Sequence, residues 1–145
     1  TRGFMGTGKG ATMGGISGVN HVASMAKDMG ETVRFYEEIL DVPVRRIVND
    51  EPGRKHYSLD LGGEGTLDFF EAPPGTGEST RDTLGALNHL AVTATPAFID
   101  EVEKRLQSRG VSCYPSSREG QKTIYFSDPN GINLQLYPAT GGTRG

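Results

Sequence analysis

The sequence predicts an α+β fold of two similar halves, each running strand, helix, then three strands. Three observations predict it. Asn20-His21-Val22-Ala23 recurs 68 residues later as Asn88-His89-Leu90-Ala91. At an offset of 67, Thr66-Leu67-Asp68-Phe69-Phe70 falls on Asn133-Leu134-Gln135-Leu136-Tyr137. Each Asn-His pair opens a short apolar run that leads into a helical pattern and then extended segments, and such self-similarity decides architecture before local structure does. The 145 residues suffice for one domain with a sizeable core and not for two ordinary ones, so the duplication lies inside that domain.

In the first half, residues 18–25 read as extended. Asp28 followed by Glu31 resembles a capping box, and Met29, Val33, Tyr36 and Leu40 share one face of the helix that follows. Pro43 is expected to end it. Strands are expected over 43–48, 55–61 and 66–71. In the second half, 86–93 read as extended, Thr95 and Pro96 form an N-cap with proline in the first helical position, and Ile99, Val102 and Leu106 make the buried stripe. Gly110 suits a helix stop, and strands follow over 111–114, 121–127 and 132–137. The expected organisation is one domain over 18–138, with modules 18–72 and 86–138 joined by an exposed linker, 73–85, rich in Pro, Gly, Ser and Thr.

Seven of the 21 glycines lie in residues 1–18 and three in 141–145. Residues 1–17 and 139–145 are therefore expected to be flexible tails, the first an appended segment or a processed leader. Gly6-Thr7-Gly8-Lys9-Gly10 is not read as a phosphate loop, because no strand precedes it and Gly follows the lysine where Ser or Thr would bind magnesium. Fifteen Lys and Arg against 18 Asp and Glu leave no basic footprint for nucleic acid. No apolar run approaches the roughly 18 to 20 residues needed to cross a bilayer, so a cytoplasmic protein without a membrane partner is expected. The single cysteine, Cys113, can form no internal disulfide and is read as a small core residue.

Alternation along strands sends neighbouring side chains to opposite faces. Val22, Leu90 and Val92, with Leu67, Phe69, Ile132, Leu134 and Leu136, supply the apolar face each helix must cover. His21, Asp68, His89 and Gln135 then fall on the other face, with Phe70, Asn133 and Tyr137 beside them. If the halves pair about a pseudo-twofold axis, the four polar side chains converge. Imidazole nitrogens with carboxylate or amide oxygens suit a divalent ion such as Zn, Fe, Ni, Mn or Co, with positions left for substrate oxygens.

Three segments carry a resemblance: Val19-Asn20-His21-Val22-Ala23, Thr32-Val33-Arg34-Phe35-Tyr36-Glu37-Glu38-Ile39-Leu40, and Tyr125-Phe126-Ser127-Asp128-Pro129-Asn130-Gly131-Ile132-Asn133-Leu134-Gln135. Through them, residues 17–138 resemble the vicinal oxygen chelate superfamily, which includes glyoxalase I, methylmalonyl-CoA epimerase, extradiol dioxygenases and bleomycin or fosfomycin resistance proteins. The resemblance implies paired βαβββ modules whose curved mixed sheets enclose a metal-bearing cavity. By matching position it also implies His21, Asp68, His89 and Gln135 as ligands. The last position is usually a glutamate that serves as ligand and base; Gln135 can bind through its carbonyl oxygen but cannot accept a proton near neutral pH.

The expected chemistry is proton transfer of the isomerase or lyase kind. In it the ion binds two adjacent substrate oxygens, and Asp68 is the matched carboxylate able to take the proton. Asp68 and Gln135 are thus the candidate catalytic pair. Two alternatives stand beside this reading. One is a metal-free small-molecule or antibiotic-binding protein of the bleomycin-resistance kind, with Phe70, Tyr125 and Tyr137 lining its cleft. The other is an Fe(II) extradiol-type dioxygenase, which needs a carboxylate that Gln135 does not supply. One of Arg45 and Arg46 should point into the cavity, where it could bind a carboxylate or phosphate; Arg46 is the candidate. His56 follows Lys55 near a strand start and is read as a surface or packing residue, with an extra substrate contact as the alternative. A homodimer is expected by analogy with single-copy members of the family.

Overall fold

A computed structural model describes residues 14–79 and 82–139. The Gly6–Gly10 segment lies outside the described residues, as does most of both expected tails. Each half is a four-stranded mixed sheet with one helix. The first comprises β1 (His21–Ala26), α1 (Met29–Leu40), β2 (Val44–Asn49), β3 (His56–Asp60) and β4 (Thr66–Glu71). The second comprises β5 (Leu90–Ala94), α2 (Pro96–Ser108), β6 (Tyr114–Arg118), β7 (Gln121–Ser127) and β8 (Asn133–Pro138). The sheet orders are β1-β4-β3-β2 and β5-β8-β7-β6, with β1 parallel to β4 and β5 parallel to β8. The βαβββ duplication is therefore present element for element.

Local chemistry explains the helix boundaries. The Asp28 side chain accepts a hydrogen bond from the Glu31 amide at 2.9 Å, and Thr95 does the same for Phe98 at 3.1 Å, each satisfying an amide that the first helical turn leaves orphaned. Removing the cap by Thr95→Ala is expected to cost about 1 kcal/mol, read as a lower urea midpoint at unchanged slope. The end of α1 is set earlier than Pro43: Asp41 turns left-handed at φ 54° and the Val42 amide closes on the Tyr36 carbonyl at 2.9 Å. At the other helix Gly110 takes φ 71° and Val111 closes on Leu106, as expected of a glycine stop.

Two strands depart from the sequence reading. The β6 strand lies at 114–118 instead of 111–114, and all five of its residues are exposed; an edge strand held by backbone pairing to β7 needs no apolar alternation to betray it. The β5 strand begins at Leu90, opposite Leu134 of β8, so His89 stands just ahead of the strand.

Leu67, Phe69, Leu134 and Leu136 are almost fully buried, and with Tyr36, Ile39, Ile99, Val102 and Leu106 they belong to a single core fed by both halves. Val22, Leu90, Val92 and Ile132 pack against its margin. Polar contacts also tie the halves: Arg105 donates to the Ile39 carbonyl and to Asp41, both at 3.0 Å, and Tyr36 donates to Asp128 at 2.8 Å. Because the apolar faces of both sheets are spent on this core, the faces carrying the histidines point away from it.

Candidate functional site

Register places the candidate residues on the outward faces. In the first sheet His21 lies opposite Thr66, Ala23 opposite Asp68 and Met25 opposite Phe70. Across the hairpin, His56 lies opposite Phe70 and Ser58 opposite Asp68, while Arg46 lies opposite Ser58. Directly paired residues share a face, so His21, Asp68, Phe70, His56 and Arg46 occupy one surface. Arg45 is consumed by Asp60, at 2.6 Å, and by the carbonyls of Gly63 and Glu64.

In the second sheet Gln135 lies between Ala91 and Tyr125, with Tyr137 next on its face. His89 meets the Tyr125 ring edge-on at 5.7 Å. Asn133, Tyr125 and His89 line a cleft of about 630 Å³ that Tyr114 also borders, ample for a small molecule.

The two histidines share one arrangement. In each, Nδ1 is 2.8 Å from the side-chain oxygen of the preceding asparagine, Asn20 for His21 and Asn88 for His89. The oxygen can only accept, so Nδ1 carries the proton and the Nε2 lone pair is left for an electrophile. Hydrogen bonding of the far ring nitrogen is how metal-binding imidazoles are oriented. The Asn-His dipeptide, which alone could be a strand-start hydrogen bond, thus performs the same orientation twice.

Gln135 is 2% exposed and its Nε2 has no partner among the described residues, nor has the hydroxyl of buried Thr123. An unsatisfied buried amide costs on the order of 1–3 kcal/mol. The carbonyl oxygen of the same amide is a donor suited to a borderline cation, so two imidazoles and an amide oxygen are donor types that a divalent ion accepts, although the described residues of one chain do not gather them.

Asp68 is differently engaged. Its Oδ2 is 3.0 Å from His56 Nε2 and its Oδ1 accepts from Thr66 Oγ1 at 2.8 Å. Burial pushes this carboxyl up, but hydrogen bonds from His56, Thr66 and Ser58, with a contribution from His21, outweigh burial and hold it below the ordinary aspartate range. It is a poor proton acceptor near neutral pH. His56, read from sequence as surface or packing, lies in this network and stacks on Phe70 with ring centroids 3.9 Å apart. The hairpin register, which sets Ser58 opposite Asp68, places His56 one step along the same face, and no sequence spacing gives that register.

No principal cavity is lined by both His21 and His89, and among the described residues no three His, Cys, Asp or Glu side chains are grouped to hold a metal. Nor is any described helix long and apolar enough to cross a membrane.

Known proteins share this framework. A domain from Frankia sp. EAN1pec, titled glyoxylase/bleomycin resistance protein/dioxygenase, superposes with TM-score 0.74 at 24% identity, over 88% of this chain and 95% of that one. The putative ring-cleaving dioxygenase MhqE of Bacillus subtilis is 28% identical over 82% of this chain; the chain spans 40% of MhqE's length. The metallothiol transferase FosB of Bacillus licheniformis is 29% identical over 84% of this chain and 75% of its own length. The family description that matches residues 18–136 covers both modules, and the chain belongs to the Glyoxalase/Bleomycin resistance protein/Dioxygenase superfamily.

Proposed function

We propose that this chain is a metal-dependent enzyme of the vicinal oxygen chelate type that acts on a small oxygen-bearing substrate by proton transfer, as a cytoplasmic homodimer. The observation that carries the reading is the duplicated Asn-His pair, each imidazole held at Nδ1 by its asparagine and with Nε2 unpartnered among the described residues. Pairing the first module of one copy with the second module of another brings His21 of the first together with His89 and Gln135 of the second. Strands β1 and β5 both end their sheets with an unpaired edge, and Met25, Phe70, Tyr114 and Tyr137 leave apolar area exposed on these faces, which supports closure by a second copy.

The ion, when bound, supplies Lewis-acid charge to two neighbouring substrate oxygens. The chain supplies the rest. Asn20 and Asn88 fix the imidazoles, and the Gln135 amide gives a neutral oxygen donor. Phe70, Tyr125, Tyr137 and Asn133 line the substrate space, and exposed Arg46 offers a guanidinium to an anionic substrate group.

The MhqE likeness favours a second reading, extradiol-type ring cleavage. The neutral Gln135 donor disfavours it, because that chemistry uses two histidines and a carboxylate.

Elemental analysis of protein purified without chelator, then reconstituted with Zn, Fe, Ni, Mn or Co, is expected to show stoichiometric metal. Exchange of the C–H next to a carbonyl in deuterated water is expected in place of oxygen uptake with catechols. Wild-type protein that takes up none of these ions overturns the enzyme reading in favour of a metal-free binding protein.

A further inference from the structure

We propose that His56, oriented by Asp68, is the group that accepts the substrate proton, and that Asp68 is a positioning residue and not a metal ligand. This rests on the proton-transfer reading above and assigns its base. Both oxygens of Asp68 are already used: Oδ2 by His56 Nε2 at 3.0 Å and Oδ1 by Thr66 Oγ1 at 2.8 Å. The residue is 7% exposed and its two oxygens are turned to His56 and Thr66, so it is placed to hold the imidazole in one tautomer.

His56 has the complementary freedom. Its ring lies against Phe70, 3.9 Å between centroids and tilted by 24°, and its side chain remains 20% exposed. Since a carboxylate can only accept, the proton of the neutral ring sits on Nε2 and the lone pair on Nδ1, which has no partner among the described residues. A carboxylate on one ring nitrogen and an open lone pair on the other is the arrangement that fixes a tautomer and steadies the imidazolium formed when the lone pair takes a proton. His56 shares the face of His21 and Arg46, the face that the proposed pairing of two copies sets against the cleft of His89 and Tyr125.

In the step, the proton on the carbon next to a carbonyl moves to His56 Nδ1. The C–H electron pair stays with the substrate and spreads onto the carbonyl oxygen. The new imidazolium charge lies against Asp68. In an α-hydroxy carbonyl substrate, return of the same proton to the neighbouring carbon, with the hydroxyl proton of the first carbon passing to the former carbonyl oxygen, completes an isomerisation with no oxidant or reductant consumed.

The test uses full-length protein loaded with Ni or Mn for exchange and with Zn for spectroscopy. Long-range nitrogen–proton NMR of wild-type His56 is expected to show the Nε2–H tautomer, lost in Asp68→Asn; an Nδ1–H tautomer in the wild type overturns the proposal without any variant. Deuterium exchange is followed with hydroxyacetone, glycolaldehyde and lactaldehyde. His56→Gln is expected to slow it by about 100-fold or more, and Asp68→Asn by about tenfold or more, with metal content unchanged in both. Loss of metal in Asp68→Asn, exchange in His56→Gln within about threefold of wild type, or no exchange by metal-loaded wild type with any of the three compounds overturns it. A wild-type chain that takes up no metal at all sinks the underlying functional reading and this proposal with it, which separates the two failures.

Discussion

Mixing His21→Ala chains with His89→Ala chains, neither of which holds metal alone, is expected to restore binding to about a quarter of the wild-type sites. Each single variant removes one imidazole from every site of a homodimer that pairs the first module of one copy with the second module of the other. In a mixed dimer both lesions fall in one site, and the remaining site keeps both imidazoles. Random reassortment makes about half the dimers mixed, and half the sites in those are intact. The readout is bound Co(II), by elemental analysis and visible absorption, after the chains are unfolded and refolded together. A mixture that holds no more metal than its parents shows that the two imidazoles do not meet across copies. The asparagines give a graded control: Asn20→Ala and Asn88→Ala leave both Nε2 donors but release the rings, so affinity should fall by roughly 10–100-fold.

This experiment addresses the step at which sequence and structure part. Alternation and the internal repeat assigned the faces: Leu67, Phe69, Leu134 and Leu136 are buried in the core, His21, Asp68 and Gln135 lie on the opposite faces by register, and His89, just ahead of β5, meets the ring of Tyr125 beside Gln135. Capping residues were legible because Asp28 and Thr95 act on amides three residues away. What lay out of reach was long-range. The Asp68–His56 pair spans a hairpin whose register depends on the Gly62–Gly65 turn, and no spacing rule distinguished His56 from a surface histidine. The β6 edge carried no hydrophobic period to read. Whether the two faces meet inside one chain was not encoded in any local pattern, because it depends on both apolar faces being spent on a shared core.

That shared core has a polar clasp, and Asp128→Ala is expected to loosen it by about 3 kcal/mol. Asp128 is 5% exposed and opens the Asp128-Pro129-Asn130-Gly131 turn between β7 and β8. Its Oδ1 accepts from the amides of Asn130 and Ile132, both at 2.8 Å, and its Oδ2 from the Tyr36 hydroxyl of α1 at 2.8 Å. In the same turn Asn130 accepts from the Lys27 amide at 2.8 Å and donates to Thr32 at 3.0 Å, so one short loop of the second module holds the start of the first module's helix. Truncation strands three donors where little water reaches them. Asp128→Asn keeps an acceptor for both amides and offers its own N–H to the Tyr36 oxygen, so it should cost about 1 kcal/mol. The pair also has a pH signature. Burial raises the Asp128 carboxyl above the ordinary aspartate range against the pull of its hydrogen bonds, so its contribution is full below that range and is lost as pH rises through the raised value. Wild type should therefore gain on Asp128→Asn as pH falls from neutral into the acid range, measured by urea unfolding at each pH. A gap that shrinks in acid, or an Asp128→Ala chain as stable as wild type, would show that the clasp contributes little and that apolar packing alone joins the modules.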